Sequence, residues 1–207
     1  LNIDTNKGIK GFAIIVDINS YAKMVSDSKA NMMAQFTRDV LAGGIRAVEE
    51  QGGIVVGFMG DAFLGFLSES ENVFSSCLSI AQDLNNQCEY ISNNYEAFPF
   101  SPQGPSLKIA IEYGHFDISD ITSKFLGNQK LFAGEAINYA ARISAAESGN
   151  RCLIGPQAYE NGLKDYISRG DGPFSIEGKQ GESICEYYRL NLDDIWIERE
   201  SEESYWS

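Results

Sequence analysis

The chain has 207 residues, 43% of them hydrophobic, enough for one substantial core and short for two. Sixteen Lys and Arg against 29 Asp and Glu leave a formal net charge of −13, a field that repels nucleic-acid phosphates and anionic membrane surfaces. The composition argues against nucleic-acid and membrane partners, and a polyanionic ligand would need its charge met locally, by metal ions and a few placed cations.

The segment GFAIIVDI, 11 to 18, is apolar and β-branched and predicts a buried strand with Asp17 at its tip. From Ala30 to Gln51, apolar residues recur at intervals of three and four, from Met32 and Met33 through Phe36, Val40 and Leu41 to Ile45 and Val48. That is an amphipathic helix, weakened by Gly43-Gly44 and stopped by Gly52-Gly53. GIVVGFM and AFLGFL predict two short strands joined tightly around Gly60-Asp61, and Val73, Cys77, Leu78, Ala81, Leu84, Cys88 and Ile91 line one face of a second helix.

FPFSPQGP, 98 to 105, holds three of the five prolines and reads as a connection before the strand SLKIAIEYGHF. Residues 117 to 133 show no clear period and are expected to form a loop. GEAINYAARISAAE, 134 to 147, has the alanine content and spacing of a helix, RCLIG follows as a short strand, and PFSIEG and ICEYYRL predict a closing hairpin. We expect a single domain over 1–207, with 191–207 an acidic tail whose Trp196 and Trp206 argue that part of it packs. The β-α-β-β-α-β order with an added C-terminal hairpin predicts an α+β, ferredoxin-like fold with the helices on one face of the sheet.

Cys77, Cys88, Cys152 and Cys185 form no CxxC pair, which suits free thiols in a reducing compartment. No stretch approaches 18 apolar residues, and LNIDTNKGIK lacks the apolar core of a secretory signal, so a soluble, cytoplasmic protein is expected.

Asp17 closes an apolar strand and Asp61 sits in a tight turn between two more. In a β-α-β-β unit they can lie at neighbouring strand ends, and two converging carboxylates there suit Mg²⁺ or Mn²⁺. Taken singly, a cap at Asp17 and turn chemistry at Asp61 account for each acid as well as a metal does. Asn138 and Arg142, four apart on the alanine-rich helix, share one face. Arg142 can donate to phosphate oxygens and Asn138 can orient a hydroxyl, although such a pair is more often a solvated stripe. His115 is the only histidine, at the end of a strand after Gly114. Neither a Rossmann fingerprint nor a P-loop is present.

The ordered segments are more specific than any of their parts. IIVDINSYAKMV, GGIVVGFMGDAFLGF, LKIAIEYGHF, FAGEAINYAARISAAESGNRCLIG and PFSIEGKQGESICEYYRL resemble, in order, the segments of the class III nucleotide cyclases, from about residue 10 to residue 190. The resemblance implies a two-metal mechanism. Asp17, Asp61 and the main-chain carbonyl of Ile18 would hold two divalent ions, Mn²⁺ or Mg²⁺, that activate the ribose 3′-hydroxyl of a nucleoside triphosphate and hold its phosphates. Asn138 would position the ribose and Arg142 would stabilise charge on the α-phosphate. In the family these two pairs come from opposite subunits, so a homodimer with active sites at the interface is implied.

The chain departs from the family where purine cyclases read the base: those positions hold Gly57 and Leu131, which offer no polar side chain. The family includes stand-alone pyrimidine cyclases of bacterial antiphage defence, and the departure points to that branch, with UTP preferred over CTP. A purine cyclase with atypical base recognition and an inactive nucleotide-sensing module are the alternatives. The family's phosphate-binding lysine falls on Lys179, with Glu177 an equally good alignment, and His115 falls where some members carry a phosphate-contacting arginine.

Overall fold

A computed structural model describes residues 8–19, 21, 30–70, 72–94, 106–123, 127–147, 151–165, 171–177 and 183–191. At its centre is strand β1 (Ile9–Ile18), which pairs antiparallel with β3 (Ala62–Ser68) on one side and with β4 (Leu107–Ser123) on the other. Beyond β3 lies β2 (Ile54–Met59), joined to it by the two-residue turn Gly60-Asp61. Beyond β4 come β6 (Arg151–Ile154), parallel to it, then β8 (Cys185–Asn191) and β7 (Asp171–Ile176), each antiparallel to its neighbour. The eight-stranded sheet has the order β2-β3-β1-β4-β6-β8-β7, with β5 (Gly127–Ala133) paired to the far half of β4. Its first four strands carry the ferredoxin-like order, and the added C-terminal hairpin falls where the sequence predicts it.

Because β1 is central, both of its faces are covered, and the strand reads as an apolar run rather than an alternation. Phe12, Ile14, Val16 and Ile18 point to one face, where they meet Met33, Phe36, Val40 and Val48 of helix α1 (Ala30–Glu50) and Cys77, Leu78, Ala81 and Leu84 of α2 (Val73–Asn94). Ala13 and Ile15 point to the other, against Ala136, Ala140 and Ile143 of α3 (Glu135–Ser144). This corrects the expectation of helices on one face only. The short α3 returns from β5 to β6 on the side opposite α1 and α2, and its sparse apolar stripe of alanines lets it lie close to the sheet.

Residues 117 to 133, expected to be a loop, are instead strand. β4 runs on to Ser123 and β5 pairs with it from Asp117↔Ala133 to Ser123↔Gly127. Among the described residues of this ribbon only Phe116, Ile118 and Phe132 are buried, packed with Phe66 at ring separations of 4.8 Å (Phe116) and 5.3 Å (Phe132). Asp117 and Ser119 face outward, and Asp120, on the face of Ile118, is exposed as well, which hides the period. Helix α4 (Pro156–Glu160) and a 3₁₀ turn at Leu163–Asp165 are further additions. Proline at the first helical position after Gly155 is their sequence signal.

The two glycines inside α1 have a packing reason. A methyl group on Gly44 would stand 2.3 Å from the Phe63 ring, and one on Gly43 would overlap the Gln87 side chain of α2. All four cysteines are free and buried. Among the described residues no helix is long and apolar enough to cross a membrane. The connection 98–105, Lys179 and residues 192–207 of the tail lie outside the described residues.

Candidate functional site

Asp17 is the last polar position of β1 before Ile18, and the register places it directly opposite Ala62 of β3 and Lys108 of β4. By strand alternation it shares the face of Ala13 and Ile15, the α3 face. Asp61 immediately precedes Ala62, and its carbonyl accepts a hydrogen bond of 3.3 Å from the Ile18 amide, which ties the hairpin tip to the end of β1. Asn19 extends the tie, its amide donating to the Ser106 carbonyl at 2.9 Å and its side-chain nitrogen to Ser106 Oγ at 3.0 Å.

The two carboxyl groups therefore meet. Burial, together with the charge and hydrogen bonding of the Asp17 carboxylate, raises the Asp61 carboxyl above its ordinary range, while a hydrogen bond at its own amide and the Lys108 ammonium pull the other way. Lys108 Nζ lies 2.9 Å from Asp17 Oδ2, with only 17% of the lysine side chain exposed.

Among the described residues no group of three or more His, Cys, Asp and Glu side chains stands together. Among the described residues there is thus no closed all-protein cage of the calcium or zinc type. Two carboxylates with main-chain carbonyls nearby are instead the donor set of a hard cation that keeps several ligands from water and phosphate, as Mg²⁺ does. The oxygen-only chemistry and the crowding of like charge both fit a divalent ion.

Asn138 and Arg142 lie on α3 turned away from Ala136, Ala140 and Ile143, Asn138 exposed and Arg142 half-buried. Three contacts bind this helix and the residues just after it to the closing hairpin. The Tyr139 hydroxyl accepts from the Glu186 amide at 2.8 Å and donates to its carbonyl at 2.9 Å, Arg142 Nη2 donates to the Ser183 carbonyl at 2.8 Å, and the Tyr187 hydroxyl donates to Glu147 Oε1 at 2.9 Å.

Gly57 follows a β-bulge at Val56 and pairs with Leu64, so it faces the α3 side. A methyl group there would meet nothing within 4 Å. Leu131 lies opposite Ser119 on the β4–β5 ribbon and is 48% exposed. His115 is exposed and pairs with Lys10, near the start of β1. At about 3.4 Å per strand residue it stands on the order of 20 Å from the Asp17 end of the same chain.

The structure thus brings Asp17, Ile18 and Asp61 together, holds Asn138 and Arg142 side by side on another layer, and leaves His115 apart. Lys108 is the member that sequence reading missed. A lysine following an apolar residue at a strand start carries no motif, and only the β1–β4 register reveals its partner.

This architecture is shared with solved structures. A guanylyl cyclase superposes with a TM-score of 0.75 at 13% identity, covering 90% of this chain and 93% of its own. The adenylyl cyclase CyaB from Pseudomonas aeruginosa does so at 0.73 and 16%, covering 89% and 95%. The chain has the nucleotide cyclase fold. A class III adenylyl cyclase-like ATP-binding protein, also from Pseudomonas aeruginosa, is similar at 0.68 and 16%, covering 81% of this chain and 40% of that one. No protein-family model matches the chain, and no curated protein matches it. At these identities the likeness is one of nucleotide cyclase architecture, and the chemistry rests on this chain's own side chains.

Proposed function

We propose that the chain is a nucleotide cyclase that converts a nucleoside triphosphate to its 3′,5′-cyclic monophosphate and pyrophosphate. The observation that carries this reading is the meeting of Asp17 and Asp61 at adjoining strand ends of the cyclase fold. Asp17, Asp61 and the Ile18 carbonyl would hold two divalent ions, Mn²⁺ or Mg²⁺. When bound, these would supply acidification of the ribose 3′-hydroxyl and neutralisation of the triphosphate.

The chain's own side chains do the rest. Asn138 orients the ribose, and Arg142 donates to the α-phosphate oxygens, where charge develops during in-line attack. Asn138 and Arg142 sit on a solvent-facing stripe of α3, and Phe58 and Met59 at the hairpin tip beside Asp61 are 54% and 53% exposed. Both features support a homodimer in which each site combines the metal-binding edge of one copy with α3 of the other. Lys179 and His115 are the further candidates for phosphate contact.

For the base, Gly57 supplies no side chain and Leu131 supplies an apolar one. A site that discriminates purine edges needs polar partners, so these positions support a pyrimidine, with UTP preferred over CTP. On that reading the product is a second messenger, such as cyclic UMP, of bacterial antiphage defence, made in the cytoplasm.

Incubation with each of the four nucleoside triphosphates and Mn²⁺, followed by chromatography of the products, tests both levels. Cyclic UMP as the main product is expected. Cyclic AMP or cyclic GMP alone would remove the pyrimidine assignment and leave the cyclase, whereas no cyclic product from any substrate would sink the enzyme reading. The similarity to an ATP-binding cyclase-like protein favours one second reading, a module that binds nucleotide without turnover. It predicts Mn²⁺-dependent nucleotide binding with no pyrophosphate released.

A further inference from the structure

Asp17 stands in a row of polar side chains that crosses the sheet. The register aligns Asp17 on β1 with Lys108 on β4, Lys108 with Arg151 on β6, and Arg151 with Asn191 on β8. Arg151 Nη1 donates to Asn191 Oδ1 at 3.3 Å, and Lys108 Nζ makes its ion pair with Asp17 at 2.9 Å. Like charge from Arg151 on one side and a carboxylate on the other favour the Asp17 side for the Lys108 ammonium. The Lys108 and Asp17 side chains are 17% and 26% exposed, so solvent screens the pair only in part.

A divalent ion bound to Asp17 would stand within a few ångströms of that ammonium. Two cations cannot both draw full benefit from one carboxylate, and at such separations their mutual repulsion is large unless an anion offsets it. We propose that Lys108 is a built-in competitor of the divalent ion at Asp17, keeping the carboxylate pair weak for metal alone and making metal entry depend on a polyphosphate arriving with it. The inference rests on the metal-site reading of Asp17 and Asp61. It adds an order to it: the ion and the nucleotide enter as one complex, and the free protein holds little metal.

The test reads metal binding to the nucleotide-free protein, by electron paramagnetic resonance of unbound Mn²⁺ during titration, with thermal unfolding as the folding control. Lys108→Gln removes the competing charge and should bind Mn²⁺ on the order of ten-fold more tightly than the wild type. Lys108→Met should do the same, while Lys108→Arg keeps the charge and should stay at the wild-type value. Asp61→Asn should weaken binding in the wild-type and Lys108→Gln backgrounds alike. If Lys108→Gln and Lys108→Met gain nothing while Asp61→Asn still weakens binding, the competitor role is overturned and the metal site stands. If Asp61→Asn changes nothing, or no variant binds Mn²⁺ at all, the metal-site reading falls and the competitor role falls with it.

Discussion

Glu112 is a carboxyl group only 2% exposed in the middle of β4. Its Oε1 accepts from the Tyr113 amide and from the Ala158 amide in the first turn of α4, both at 2.8 Å. Burial outweighs these hydrogen bonds, with some help from the charge of Glu135, and pushes the carboxyl up to about 7. An acid raised in the folded state binds its proton more tightly there than in the unfolded chain. Its contribution is full below the ordinary glutamate range and is lost as pH rises through about 7. Thermal unfolding followed from pH 4.5 to 8 should show a stability loss on the order of 3 kcal/mol from this group. Glu112→Gln should flatten that dependence. It should also lower stability at acid pH, because an amide nitrogen would face a main-chain donor where the carboxyl offers a second oxygen. Asp61 has a plainer expectation: Asp61→Asn should abolish Mn²⁺-dependent product formation, leaving far-ultraviolet circular dichroism and the elution volume of the assembly unchanged.

Helix α1 sets two effects against each other. Gly44→Ala gains about 1 kcal/mol of helix propensity. The added methyl, however, would stand 2.3 Å from the ring of Phe63, which is fully buried, and such overpacking costs about 1–3 kcal/mol. The expected result is net destabilisation, seen as a lower urea midpoint with an unchanged slope. The long helices and central strands were legible in the sequence because each buries a whole face or both faces, which leaves a regular period. The β4–β5 ribbon was not, because it turns few apolar side chains inward between polar ones, and α4 is too short to have a period. The site divides in the same way. Asp17 and Asp61 stood out as acids that end apolar runs, whereas Lys108 takes its meaning from strand register, a property of the folded sheet. Asn138 and Arg142 were legible as a pair on one helix face, but that α3 packs on the sheet face opposite α1 and α2, the face that Asp17 shares, follows only from the folded layers.

At the scale of the molecule, a dimer with shared sites makes a quantitative prediction. Asp61→Asn and Arg142→Ala, each inactive alone, should complement when mixed and allowed to exchange subunits. Half of the dimers would be mixed and each would hold one intact site, so activity should return to about a quarter of the wild-type level. No recovery after demonstrated exchange would mean that each copy works alone. Charge enters at this scale as well. On the cyclase reading, a net charge of −13 repels an incoming triphosphate at long range, and added salt, by screening that repulsion, should raise rather than lower the rate of nucleotide capture. Gly57, finally, opens onto empty space at the edge of β2. A methyl group acquired there would meet nothing within 4 Å in its own chain, so on the proposed reading new base preferences can be tried at this position one substitution at a time without loss of fold. If that reading holds, a lineage built on this scaffold can change its message while keeping its machinery.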